Sequence, residues 1–348
     1  MLRKTRLAEY PQGISVIVCC FNSKTRIGAT LKHLALQQLP PLIGYEVILV
    51  DNNSQDDTAG HAETVWTETN TILPLRILNE ARQGLAYARM KGVQSAHYRY
   101  LVFCDDDNWL PPDYVIRVAD FFEDHPTYGL IGGSSEAVSD VALPPWFESQ
   151  RSAYACGQQC MQSMDVTGKE FLWGAGISGR KVLFEKIYDA AFPVQFTGRN
   201  GKALVSGDDD EINGRTWLSG YRVWYNDELR LRHYIEPARL NMQYAEKIFQ
   251  NFQQQGTLRG AYFRMYRLSE MNTLQKAGCL LFALYNWGAG SMSHNESRQR
   301  VARSYLYLLI GWKALEVKEN QIMYRFYQWT KHHRVKRVHL TSFKTSDQ

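Results

Sequence analysis

The sequence predicts an α/β fold: a mostly parallel central sheet with flanking helices, followed by a helical C-terminal region. Three features carry this. Short apolar runs rich in β-branched residues alternate with segments of helical period, polar residues stand at the ends of those runs, and the strand rhythm stops after about Leu240. Strict alternation of this kind builds parallel sheets. With 348 residues, 45% of them hydrophobic, the chain can bury a sizeable core. The expected division is an α/β domain over residues 10–238 and a helical region over 239–348.

Residues 14–21 form a continuous apolar run, which reads as a strand buried on both faces. Asn22 and Ser23 offer helix caps, and Ile27, Leu31 and Leu34 recur at helical spacing. Pro40 and Pro41 close that helix. Residues 45–50 read as a second strand ending at Asp51, with a helix over 58–66 capped by Asp56 and Thr58. Residues 75–78 are a third strand, 83–95 a helix, and 100–104 a fourth strand ending at Asp105. The stretch 133–199 is mixed and turn-rich. A last strand, 222–225, precedes His233.

In a parallel sheet, ligands sit outside the carboxyl ends of the strands. Asn22, Asp51 and Asp105 all fall there. Asp105, Asp106 and Asp107 form the first acidic cluster. Like charges at a strand end repel and resist desolvation, and a cation relieves both costs. Carboxylates suit Mg2+ or Mn2+, which leave coordination positions for phosphate oxygens. An isolated acidic triplet would be a solvated turn, but the apolar run before this one and Trp-Leu-Pro-Pro after it favour the metal.

Asp51 can accept a hydrogen bond from a nucleobase or ribose, with Asn53 and Ser54 beside it. A second acidic cluster, Asp208 to Glu211, follows Gly207 and heads a helix that includes Ile212 and Leu218. A sugar hydroxyl loses its proton as it attacks, so a positioned carboxylate there is a natural general base. Acidic residues also favour a helix N-terminus for its dipole. Gly174, Gly176 and Gly179 spell a dinucleotide fingerprint, but mid-chain and without the acidic residue that should end a strand about 20 residues later.

In this order, these clusters resemble the inverting nucleotide-sugar glycosyltransferases of family 2, over residues 14–233. The resemblance implies a GT-A fold and a hexosyltransferase-type reaction in surface polysaccharide or glycoconjugate biosynthesis. It implies Asp209 and Asp208 as catalytic residues, with Asp209 as base. It places Asn22, Asp51, Asn53, Gly84, Arg89, Asp105, Asp106 and Gly176 on the nucleotide-sugar, with Arg180 near the donor sugar. It gives the metal, Mg2+ or Mn2+, to Asp107, Asp105 and His233. The partners expected are a nucleotide-sugar donor, UDP-linked by preference, and a glycan or lipid-linked acceptor. A nucleotidyltransferase shares the acidic strand ends but has no use for the second cluster. A non-catalytic glycan-binding relative would have no need to keep both.

The net charge of +5 demands no anionic partner, and no nucleic acid is expected. Six cysteines make no disulfide framework, which points to a reducing compartment. Cys156 and Cys160 lack the second pair a zinc site needs. No signal-type segment is evident near the N-terminus, and the apolar runs 14–21 and 279–290 are too short to span a bilayer. A cytoplasmic protein is expected, with peripheral contact at the inner face of the cell membrane as one reading of its C-terminal helices. Val301, Tyr305, Leu308, Trp312 and Leu315 share one helix face there, Arg298, Arg300, Arg303 and Lys313 surround it, and residues 331–337 are basic. The other reading packs that face on the α/β domain.

Overall fold

A computed structural model describes residues 10–196, 198, 207–293, 295–310 and 318–333. Its elements run β1 (Gly13–Cys20), α1 (Ile27–Ala35), β2 (Gly44–Asp51), α2 (Thr58–Glu68), β3 (Leu75–Asn79), α3 (Leu85–Ser95) and β4 (Tyr100–Asp105). They continue β5 (Asn108–Trp109), α4 (Tyr114–Asp124), β6 (Tyr128–Val138), α5 (Phe147–Gln150), β7 (Met164–Asp165), β8 (Ser178–Arg180), α6 (Lys181–Ile187), α7 (Asp208–Leu218) and β9 (Arg222–Tyr234). Four long helices follow: α8 (Met242–Glu270), α9 (Thr273–Met292), α10 (Glu296–Ile310) and α11 (Lys318–His333).

One mixed sheet organises the α/β part, in the order β3-β2-β1-β4-β8-β6-β9-β5, with β7 on β9. Its first half is parallel as expected: β1 lies between β2 and β4, and β3 flanks β2. Both faces of β1 are buried. Ile14, Val16 and Val18 pack with α1, α2 and α4, while Ile17 joins a second cluster with α3, α6 and α7. That continuous apolar run is therefore explained by a strand with protein on both sides.

Two expectations are corrected. Helix α1 begins at Ile27 without a side-chain cap, because Ser23 accepts from the Phe21 amide and donates to Asp106 instead. Helix α2 likewise has no side-chain cap, since Thr58 Oγ1 donates to Asp56 while accepting from the Ser23 amide. These hydroxyls tie the β1–α1 loop to the β2–α2 loop. The other correction is β9, which runs through to Tyr234, so His233 lies within it. The strand does not stop at the polar stretch Asn226, Asp227, Glu228. It bulges instead, where the pairing jumps from Gly132–Tyr225 to Ser134–Arg230. A Cβ on Gly133 would stand 1.7 Å from the Leu229 carbonyl oxygen, so the bulge requires glycine there.

The C-terminal helices share the larger core cluster. Tyr262 and Met265 of α8, Leu306 of α10, and Met323 and Phe326 of α11 pack with Ile212 and Trp217 of α7. Of the expected apolar face on α10, Leu308 is buried and Val301 is exposed, while Trp312, Lys313 and Leu315, like residues 334–337, lie outside the described residues. A Cβ on Gly214 would stand 2.2 Å from the Tyr262 ring, so α7 and α8 touch with no room between them. Gly214→Ala should destabilise the protein by about 1–3 kcal/mol, read as a lower urea midpoint at unchanged m-value. An unchanged midpoint would mean that α8 does not press on α7.

Candidate active site

The parallel register lines up the strand ends. Cys20 stands opposite Asp51, and Cys19 opposite Asp105. The rim beside Asp51 is built by hydrogen bonds within the chain. Asp51 Oδ1 accepts from the Ser54 amide at 3.1 Å, and Asn22 Oδ1 from the Gln55 amide at 2.7 Å. Asn22 thus holds the 53–55 loop in place. Asn53 sits at φ +63° within that loop. Asn52, which carries no sequence signal of its own, is buried. Its amide donates to the carbonyls of Glu80 and Arg82, and its oxygen accepts from Gly84 N at 2.8 Å, fixing the start of α3.

The three carboxylates between β4 and β5 go three ways. Asp106, expected on the donor, is buried and enclosed by Ser23 and by Arg26, whose Nε and Nη2 approach to 3.0 and 2.9 Å. Asp107 is buried too, with Arg239 Nη1 at 3.1 Å from Oδ2 and His233 Nε2 at 3.4 Å from Oδ1. Asp105 keeps 32% of its side chain open and faces Arg89 Nη2 at 3.8 Å.

Arg89 is the junction of the site. It is 2% exposed, lies over the Phe103 ring, and places Nη1 2.5 Å from Asp208 Oδ2. One guanidinium thereby joins the strand-end acids to the acids that open α7. Next to it, Asp209 accepts from Gly174 N at 3.3 Å and from Asp210 N at 3.0 Å. Asn213, one turn further along α7, fastens this corner through both the amide and the carbonyl of Leu172. Asp210 is buried with Arg259 Nε at 3.4 Å, and Glu211 pairs with Arg215 at 2.7 Å.

The environment sorts these carboxyls. Burial and the like charge of Asp208 push Asp209 up to about 6, against the pull of Arg89. Burial and Asp209 push Asp210 up to about 8, against Arg259. Burial lifts Asp105 to about 6 despite Arg89, with Asp107 adding to it. Burial opposes a charged His233, but Asp107 outweighs it and raises the ring to about 10.

Gly176 and Arg180, expected at the donor, are both buried and held by contacts within the protein. Gly176, at φ +71°, is buried; its carbonyl accepts from Tyr114 Oη, and a Cβ would meet that oxygen at 2.4 Å. Arg180 is buried and donates to the carbonyls of Tyr128, Phe122 and His125. All six cysteines are free, and Cys156 Sγ stands 3.7 Å from His233 Nδ1. A cavity of about 920 Å³ lined by Trp109, Glu136, Arg151, Cys156 and Arg232 takes in none of the acids at 105–107 or 208–211.

Among the described residues, no three metal-ligating side chains converge. The expected trio of Asp105, Asp107 and His233 is therefore not assembled. Two of its members fit as a pair. Ligands at right angles on Mg2+, each about 2.1 Å away, stand roughly 3 Å apart. Asp107 Oδ1 and His233 Nε2 are separated by 3.4 Å. Mg2+ commonly takes only one or two carboxylates from the protein and the rest of its shell from phosphate and water.

Residues 15–187 match the family model described as glycosyl transferase family 2. The chain belongs to glycosyl transferase family 2. The matched span holds Asp51, Arg89 and Asp105–Asp107 and stops before Asp208, which Arg89 brings back to it. Among curated relatives, the glucosyl-dolichyl phosphate glucuronosyltransferase of Haloferax volcanii is 25% identical over 69% of this chain and 74% of its own length. The putative glycosyltransferase EpsH of Bacillus subtilis is 30% identical over 29% of this chain, which spans 28% of that relative. The crystal structure of S. aureus TarS 1–349 in complex with UDP superposes with a TM-score of 0.50 at 14% identity, covering 92% of this chain and 88% of that one. The family 2 member thus has the GT-A fold, a mixed sheet with flanking helices and a helical C-terminal region, and stands among the glycosyltransferases.

Proposed function

We propose that this chain moves a sugar from a nucleotide-diphosphate sugar to an acceptor hydroxyl, with inversion at the anomeric carbon. The observation that carries this is Arg89, whose one guanidinium holds Asp105 and Asp208 at a common point. A donor lying over the strand ends would meet the acceptor next to Asp209. Asp209 then takes the hydroxyl proton as the acceptor oxygen bonds to the anomeric carbon and the bond to the diphosphate breaks. Asp210, protonated near neutrality, and Asp208, held by Arg89, are less suited to that role. Asn22, Asn53 and Gly84 shape the nucleotide rim around Asp51. Because TarS binds UDP in its crystal structure, a UDP-sugar is the donor proposed. A lipid-linked or glycan acceptor fits the family, and surface polysaccharide or glycoconjugate assembly is the proposed setting.

Asp107 and His233, whose ring would give up the proton it holds beside Asp107, would hold a Mg2+ or Mn2+ ion, which when bound neutralises the leaving diphosphate. Asp107→Ala would strand two cations, so Asp107→Asn is the cleaner variant. It should raise the Mn2+ concentration for half-maximal rate on the order of tenfold or more, with a matching loss in direct Mn2+ binding by calorimetry. Unchanged Mn2+ binding would remove the ion from this site. The function itself is tested by screening nucleotide-sugars for nucleoside diphosphate release and for thermal stabilisation. No release and no stabilisation from any donor would contradict it.

A further inference from the structure

Helix α9 carries apolar residues on its outward face as well as its inward one. A helix on a protein surface normally turns its large apolar residues inward and its polar ones to water. On α9, Leu274, Leu281, Phe282, Tyr285 and Met292 are each 63–82% exposed. Four of them, Leu274, Leu281, Tyr285 and Met292, recur at spacings of seven, four and seven, which places them on one stripe. Gly278 and Gly288 continue it, with open space where a side chain would stand. The inward side carries Cys279, Leu280, Ala283 and Trp287, which pack against the core. Ala283 is buried, and Gly290 lies so close to α10 that a Cβ would meet Gln299 at 2.9 Å. The helix has a single charged residue, Lys276, and no carboxylate. Contiguous exposed apolar surface of this kind marks a contact site.

We propose that the outward face of α9 rests on an anionic phospholipid bilayer, in the plane of its interface. Among the described residues, no helix is long and apolar enough to cross a membrane. Helices α9 and α10, which pack together, carry four cations, Lys276, Arg298, Arg300 and Arg303, against one carboxylate, Glu296, a balance that suits anionic headgroups. Residues 271–348 carry 12 Lys and Arg against 4 Asp and Glu, although the whole chain nets only +5. Arg298 stands at the rim of the stripe, its guanidinium 5.6 Å over the Tyr285 ring and its Nε bonded to Asn286 Oδ1. Apolar residues below the headgroups and cations among them are what interfacial binding uses. A second copy docking on this face would bring two basic rims together, which opposes self-association. The proposal stands apart from the transferase chemistry, because none of these residues belongs to the site above.

Flotation with vesicles tests it on the full chain. With phosphatidylcholine–phosphatidylglycerol vesicles at low salt, the protein should float, and should be released as salt rises. The double variant Leu281→Glu, Tyr285→Glu should lose at least tenfold in partitioning, and Arg298→Glu on the order of tenfold. Urea midpoints and turnover of a soluble acceptor should not change, which separates lost contact from lost folding. Failure to float with phosphatidylglycerol in excess would overturn the proposal. So would equal binding of the double variant, or equal binding to pure phosphatidylcholine. A dimer that Leu281→Glu dissociates, with no vesicle binding, would overturn it in favour of a second copy.

Discussion

Arg89→Met should unfold at markedly lower urea and should abolish transfer. The wild-type guanidinium is buried between Asp208 at 2.5 Å and Asp105 at 3.8 Å. Burial alone would disfavour its charge, and Asp208 together with Asp105 and its other neighbours more than restores it. Removing one member of a buried ion pair leaves the other charge without compensation, at a cost of about 3–5 kcal/mol. Two further variants separate charge from packing. Arg89→Met with Asp208→Asn should recover a large part of the lost stability, because no buried carboxylate is left unpaired there. Arg89→Lys should recover the charge but not the span between two carboxylates, since an ammonium is a point charge and not a fork. Equal midpoints for wild type and Arg89→Met would mean that the acidic clusters do not meet at this residue.

Asp209→Asn should lose turnover by on the order of 10²-fold or more, while nucleotide affinity stays near wild type. Gly174 N donates to Oδ2 and Asp210 N to Oδ1, so the change keeps the shape and one of these two acceptors but removes the proton acceptor. The pH profile supplies the sign. A base must be ionised, and Asp209 is pushed up to about 6, so kcat/KM should fall as pH drops through about 6. Asp210→Asn, at a carboxyl pushed up to about 8, should keep most of its activity near neutrality. If Asp210→Asn were the dead variant instead, the base would be one residue further along α7.

Much of this site is legible in the amino-acid sequence, for definite reasons. Strands β1, β2 and β4 are buried on both faces, so each is an apolar run, broken only by the mutually bonded Ser15 and Glu46, with a polar residue marking its end. That is why Asp51 and Asp105 stand out. Asp208 to Glu211 are legible because a run of acids ahead of Ile212 and Leu218 signals a helix start. The partners of these acids are not legible. Arg26 with Asp106, Arg89 with Asp208 and Arg239 with Asp107 are separated by 80, 119 and 132 residues. Only the sheet order brings them together, and no local pattern encodes it. For that reason the sequence gives no sign that Arg26 encloses Asp106 or that Arg239 meets Asp107. Strand β9 looks short because three polar residues interrupt it, and the fold absorbs them as a bulge. The face of α9 is hidden in the sequence because periodicity shows which residues share a side, but not which side faces the protein.

Proton NMR of the sugar product, followed in real time with a donor found by the screen, tests the central claim most directly. The claim predicts that the first product formed by the wild type has the anomeric configuration opposite to the donor's. It also predicts that Asp209→Asn gives no product on the same timescale while still binding the nucleotide. A first product with retained configuration, or an Asp209→Asn protein that turns over like the wild type, would contradict it.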